Sequence, residues 1–181
     1  MFEALEKISL KELELRWTRA RKMLDELSPQ AEGLVIFSRP TIYYMSGTLG
    51  NGLFWLPREG NPVLLLRRGI ERAGLESSVP NIFSFRSYSD VPGILKDAGS
   101  PLGKIVAAEM GGLSWSLANL LTSRLPEYEF TPGDKVLALA RSVKTDWELN
   151  KMRLCGERHK ITLAQILPRH IKPGMSEREI S

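Results

Sequence analysis

The sequence predicts an α/β domain built on a mixed, mostly parallel sheet flanked by helices. Two observations carry that expectation. Short apolar runs of four or five residues alternate along the chain with segments of helical periodicity, the pattern of a layered α/β domain. One pair of apolar runs is joined instead by a short Pro- and Gly-containing loop, which reads as an antiparallel hairpin set into that sheet. A fully apolar strand such as Gly33 to Phe37 needs a helix layer on each face, so three layers are expected.

The elements follow in order. Ser9 and Glu12 have the spacing of a capping box, and Leu13, Trp17, Ala20, Leu24 and Leu27 recur at spacings of four and three, which places them on one helical face. Ser28-Pro29 ends that helix. Gly33 to Phe37 reads as a central strand. Thr41 to Met45 has no clean period and reads as a short helix or turn closed by Gly47. Gly52 to Leu56 and Val63 to Leu66 flank Pro57-Arg58-Glu59-Gly60-Asn61-Pro62 as the hairpin. Residues 69–77 read as a helix, Ile82 to Phe85 as a strand, and Val91 to Asp97 as a short helix. A strand is expected at Lys104 to Ala108, a helix at Ser114 to Leu125 before Pro126, a strand at Tyr128 to Phe130, and a helix at Lys135 to Ala140.

A boundary is expected near Arg141, dividing an α/β domain (1–140) from an appended stretch (141–181). Thr145 and Glu148 form another capping box, and Leu149, Met152, His159, Leu163 and Ile166 fall on one face of the helix that follows. That apolar face is expected to fold back or recruit another chain. Ser176 and Glu179 repeat the capping-box spacing two residues before the last residue, which suggests the front part of a longer protein.

Composition narrows the function classes. Hydrophobic residues make up 43% of 181, enough for a buried core. No apolar run is long enough to span a bilayer, and the N-terminus lacks the apolar stretch of a signal peptide. Cys155 is the only cysteine, so no intrachain disulfide is possible, and a cytoplasmic location is expected. The net charge of +4 raises nucleic-acid binding, but acidic residues interleave with Arg16, Arg19, Arg21 and Lys22 and no binding motif is present. No nucleic-acid or membrane partner is expected.

The chain is poor in catalytic signatures. Cys155 and His159, four apart, are two ligands where zinc needs three or four, and His170 lies too far round to complete a set. There is no Gly-x-Ser-x-Gly elbow and no His-Glu-x-x-His. Both histidines lie in the appended stretch, so a triad in the α/β domain would lack its base. Gly47, Gly50 and Gly52 precede a strand rather than joining strand to helix, which is turn chemistry and not a dinucleotide loop.

A family pattern is nevertheless visible. Arg141, Val143-Lys144-Thr145, Glu148, Met152-Arg153 and then Pro173-Gly174-Met175-Ser176-Glu177 resemble the interdomain junction of the creatinase/prolidase/Xaa-Pro aminopeptidase group. Ala31 to Phe37 and Thr41-Ile42-Tyr43-Tyr44-Met45-Ser46-Gly47-Thr48 are similar to that group's first strand and its Asn-Ile-x-Tyr-Leu-Thr-Gly segment, with Thr41 where the family often has Asn. The resemblance implies the N-terminal domain of a two-domain metallopeptidase, followed by the first helix of a "pita-bread" catalytic domain that lies beyond this chain. It implies no catalytic residue, metal ligand or cofactor here, and two divalent ions (Mn, Zn or Co) in the catalytic domain. A homodimer acting on proline-containing peptides is implied, with this domain walling the partner's active site. Arg39, Tyr43, Tyr44, Phe54 and Trp55 are then the substrate-binding candidates, since aromatics cover a proline ring and an arginine can meet a carboxylate. Phe54 and Trp55 point to opposite faces of a strand, so at most one is expected outward. Two alternatives stay open: a peptide- or protein-binding module of a metal-less relative, and a creatinase-like hydrolase.

Overall fold

The computed structural model describes residues 7–180. They form two units, one running to Ser142 and one from Val143.

The first unit begins with α1 (Leu10–Leu27), where Ser9 Oγ accepts the Glu12 N–H as N-cap. The elements that follow are β1 (Gly33–Ile36), α2 (Arg39–Ser46), β2 (Gly52–Pro57), β3 (Val63–Leu66), α3 (Ile70–Glu76) and β4 (Asn81–Ser84). Then come α4 (Val91–Asp97), β5 (Ile105–Ala108), α5 (Trp115–Arg124), β6 (Glu129–Pro132) and α6 (Asp134–Ser142), with short 3-10 turns at Tyr88–Asp90 and Met110–Gly112. The six strands form one sheet in the order β4-β3-β2-β1-β5-β6. β2 is antiparallel to both β1 and β3, while β1–β5, β5–β6 and β3–β4 are parallel, so β2 alone runs against the other five.

Helices cover both faces. Val35, Leu53, Trp55, Val63, Leu65, Val106 and Ala108 point to one side, into a core closed by Val91 and Leu95 of α4 and Leu121 of α5. The alternate residues Leu34, Ile36, Phe54, Leu56, Leu64 and Leu66 point to the other side, where α1 packs on α6 and α2. The Trp17 ring of α1 lies 6.3 Å from Phe54, and its indole N–H donates to Met45 O at 2.8 Å. Burial on both sides is why the central strands are continuous apolar runs rather than alternating ones.

Several element bounds differ from the sequence expectation, α6 for instance starting one residue earlier and ending two residues later than Lys135–Ala140. Of the two forms expected at Thr41–Met45 the helix is the one observed, lengthened to Arg39–Ser46, because Ser38 caps it, Pro40 occupies its first turn and Gly47 closes it at φ +82°. The last strand is Glu129–Pro132 rather than Tyr128–Phe130; as an edge strand it tolerates Pro132, which has no N–H to give. The strand expected at Ile82–Phe85 starts and ends one residue earlier.

The second unit carries α7 (Asp146–Ile161), opened by a complete capping box: Glu148 N–H donates to Thr145 Oγ1 at 3.1 Å and Thr145 N–H to Glu148 Oε2 at 2.8 Å. The helix widens into a π turn at Thr162–Ile166 before α8 (Leu167–His170). Pro168 explains the widening, since its ring would collide with the carbonyl of Ala164, and Leu167 N–H reaches back to Thr162 O instead. Leu149, Met152, Leu163 and Ile166 are exposed along this stretch. A last short helix, α9 (Glu177–Ile180), follows Ser176, whose N–H and hydroxyl both donate to the Glu179 carboxylate and hold it below its usual pKa.

Candidate functional site

In an open α/β sheet the place to look is the carboxyl end of the parallel strands, where the chain order reverses. Here that point lies between β1 and β5. Glu109, the residue after β5, is buried there at 8% exposure. Its Oε2 accepts the Phe37 N–H at 3.0 Å and the Ser38 N–H at 2.8 Å. Its Oε1 accepts the hydroxyls of Ser38 and Thr41, each at 2.6 Å. An anion at the start of a helix is favoured by the unpaired N–H groups and the helix dipole, and this chain supplies that anion from its own β5. The reversal point is thus closed by an internal carboxylate, and Thr41 is spent on holding it.

A second carboxylate works beside it. Asp134, at the start of α6, accepts Met110 N–H at 3.0 Å and Gly111 N–H at 2.8 Å. It fixes the turn that leads into α5, whose first residue, Trp115, is 83% exposed. Trp115, Met110, Leu113 and Phe130 line a shallow apolar groove of about 280 Å³ there.

A third feature lies at the other end of α2. Tyr43, Leu49, Leu75, Arg72, Glu76 and Lys7 line a cleft of about 400 Å³. Arg72 Nε donates to Glu76 Oε1 at 2.6 Å and Thr48 Oγ1 to Glu76 Oε2 at 2.7 Å. Those bonds, the arginine's first, hold the Glu76 carboxyl below its usual pKa.

The five substrate-binding candidates are not brought together. Arg39 is exposed at the first position of α2, and Tyr43 is exposed in the cleft. Tyr44 is buried, with the guanidinium groups of Arg16 and Arg141 4.5 Å and 5.4 Å from its ring. Phe54 and Trp55 do point to opposite faces, but neither reaches solvent, because β2 is a central strand covered on both sides. The Trp55 indole N–H donates to Ser100 O at 3.1 Å, which fixes it in the core. Of the five, only Arg39 and Tyr43 are exposed. Glu109, Asp134 and Trp115 are not among the sequence candidates. Ser38 with Pro40 was a usable signal for the start of α2, but nothing local to Glu109 announces partners some seventy residues away.

Cys155 is exposed, and among the described residues no three His, Cys, Asp or Glu side chains converge as metal ligands. No helix among them is long and apolar enough to cross a membrane.

Comparison with known proteins accords with this architecture. The family model of the Creatinase/Prolidase N-terminal domain matches residues 16–143, well over half of the chain. Among solved structures, the chain is similar to an Xaa-Pro dipeptidase from Bacillus anthracis (20% identity, TM-score 0.73), covering 93% of this chain and 46% of that one. It is also similar to a prolidase from Pyrococcus furiosus (23% identity, TM-score 0.70), covering 90% of this chain and 49% of that one. The N-terminal domain of the cytoplasmic peptidase PepQ from Mycobacterium tuberculosis H37Rv matches at 14% identity and a TM-score of 0.57, covering 69% of this chain and 97% of that one. At these identities the likeness is one of fold. The chain spans about half the length of the first two. No curated protein matches significantly.

Proposed function

Because the chain belongs to the creatinase/prolidase N-terminal domain family, we propose that it serves as the non-catalytic N-terminal domain of a metal-dependent Xaa-Pro peptidase of the aminopeptidase P or prolidase kind. The observation that carries this reading is the family match over residues 16–143, joined to a fold shared with Xaa-Pro peptidases of about twice the length. The acids at the sheet's carboxyl end support a structural role for this domain. Glu109 and Asp134 are engaged by backbone N–H groups and hydroxyls rather than turned toward a ligand.

In this role the domain contributes to a homodimer and to the wall that shapes a proline-containing peptide. Tyr43 offers a ring face, and Arg39 a guanidinium for a peptide carboxylate. Two divalent ions, Mn, Zn or Co, would sit in a catalytic domain and there lower the pKa of a bridging water and polarise the scissile carbonyl. The described residues of this chain do not fit such a pair, so no metal-dependent step is assigned to them.

The direct test is hydrolysis of Xaa-Pro dipeptides by the purified chain with added Mn²⁺, Co²⁺ or Zn²⁺. The expected result is no metal-stimulated cleavage; cleavage that survives repurification would overturn the assignment. Where the reading frame continues past Ser181, what it encodes separates the remaining readings. Spaced Asp-Asp, His and Glu-Glu ligands support the peptidase, and a catalytic-type domain without them supports a metal-less binding protein.

A further inference from the structure

The sheet has two edges, and among the described residues only one is guarded. Exposed edge strands invite pairing with another chain unless charges, prolines or bulges blunt them. β6 carries such guards: Glu129 opens it and Pro132 closes it, both exposed. β4 at the opposite edge has none. The stretch Ser77-Ser78-Val79-Pro80-Asn81-Ile82-Phe83-Ser84-Phe85 contains no charged residue, and its one proline lies before the strand rather than in it. The outer half of β4 is exposed, with Phe83 at 37%.

The direction of the free backbone groups follows from one bond. Phe85 N–H donates inward to Leu66 O of β3 at 3.1 Å. Successive residues of a strand alternate, so Phe83 also turns its backbone groups inward to β3. Ile82 and Ser84 turn theirs outward. Phe83 lies in register with Leu65, so its side chain is on the α4 face of the sheet. There it borders a shallow groove with Ser84, Ile94, Asp97 and Ala98, of about 310 Å³.

We propose that β4 is a self-association edge, where a second copy of this chain pairs antiparallel, β4 to β4, about a two-fold axis through Phe83. The register is dictated by which groups face out. Ile82 exchanges N–H···O bonds with the partner's Ser84, and Ser84 does so with the partner's Ile82. Phe83 then faces the partner's Phe83 as a non-hydrogen-bonded pair, the arrangement that brings side chains closest. Opposed residues of an antiparallel pair share a face, so the two rings meet on the α4 side and cover each other's exposed surface. A second copy fits this edge better than an arbitrary strand for two reasons. The edge is self-complementary under a two-fold, and such an isologous contact closes at the dimer rather than growing into a fibre. With β6 guarded, the joined sheet has no further open edge among the described residues.

This names a surface for the self-association included in the proposed role. Its test reads oligomeric state and not activity, so either reading can fail without the other. Sedimentation velocity on the whole chain, up to about 100 µM, is expected to show a reversible monomer–dimer equilibrium. Phe83→Lys places like charges opposite each other, and Ser84→Pro removes an outward N–H at a position where an edge strand tolerates proline. Each is expected to raise the dimer dissociation constant by about tenfold or more, with an unchanged far-UV circular dichroism spectrum.

A cross-link keeps the test decisive if either variant folds poorly. In a Cys155→Ser background, Phe83→Cys is expected to form a disulfide-linked dimer on mild oxidation. Non-hydrogen-bonded partners sit about 4.5 Å apart at Cα, within disulfide range. Ile82→Cys in the same background is expected to stay monomeric on denaturing gels. A chain that remains monomeric and does not cross-link through position 83 would overturn the proposal. So would a dimer that both Phe83→Lys and Ser84→Pro leave intact.

Discussion

Replacing Glu109 with alanine should be among the costliest single changes available in the α/β unit. The carboxylate accepts two backbone N–H groups and two hydroxyls, at 2.6 to 3.0 Å. Removing it leaves those donors facing a cavity. Phe37 N–H is buried, and an unsatisfied buried donor costs about 1–3 kcal/mol. Ser38 is half-buried, so water recovers part of its loss. The Thr41 hydroxyl is 2.8 Å from Ser38 Oγ and can turn to it. Adding the lost charge at the start of α2, worth about 0.3–1 kcal/mol, gives a total near 3–4 kcal/mol. That is a large share of the roughly 5–15 kcal/mol that holds a domain together. Glu109→Gln keeps the shape but offers one acceptor oxygen and turns an NH₂ toward donors, so about half the loss is expected. Thr41→Val removes a single bond and should cost about 1 kcal/mol. Urea unfolding followed by near-UV circular dichroism, which reports the buried Trp17 and Trp55, measures the shift in midpoint at constant slope. The Glu109→Ala and Thr41→Val effects should be sub-additive, since they share a partner. A Glu109→Ala loss below about 1 kcal/mol would refute the reasoning, because the site would then be hydrated rather than closed.

Other changes probe other parts of the molecule. Gly33→Ala would drive a Cβ into the Trp55 ring, which Ser100 O holds in place, so about 1–3 kcal/mol of overpacking is expected in the same unfolding assay. Arg16→Met takes away the guanidinium that bonds Glu12 at 2.9 Å and Tyr44 O at 2.8 Å, in a setting where Arg16 is 2% exposed. Breaking one side of a buried pair costs about 3–5 kcal/mol, and Arg16→Met with Glu12→Leu should recover much of it, as read from thermal midpoints. Glu76 is depressed from the ordinary 4.5, so its contribution is present above that pH and lost as pH falls through its lower folded value. Glu76→Gln should therefore flatten the acid limb of the stability–pH curve while leaving the alkaline limb unchanged.

The architecture was legible where it rests on local patterns. The Ser9 and Thr145 caps, the hairpin joining β2 to β3, and the apolar runs of β1 and β3 are each decided within a few residues, and each stands where spacing placed it. The site was less legible because its facts are long-range. Whether Phe54 and Trp55 face a ligand or a core depends on how many strands flank β2. A hydrophobic pair reads alike on an edge strand, which keeps part of its surface wet, and on a central strand covered on both faces, which β2 is. The Thr41 position shows the same gap. Nothing in its neighbourhood in the sequence tells that its hydroxyl turns inward to a carboxylate 68 residues away. The exposed edge of β4 has a similar origin, for the sequence shows an uncharged strand but not its place at the end of the sheet. Strand order converts that neutrality from an ordinary core property into an unguarded surface. The informative residues are therefore those whose chemistry suits one topological position and which the fold has put in another.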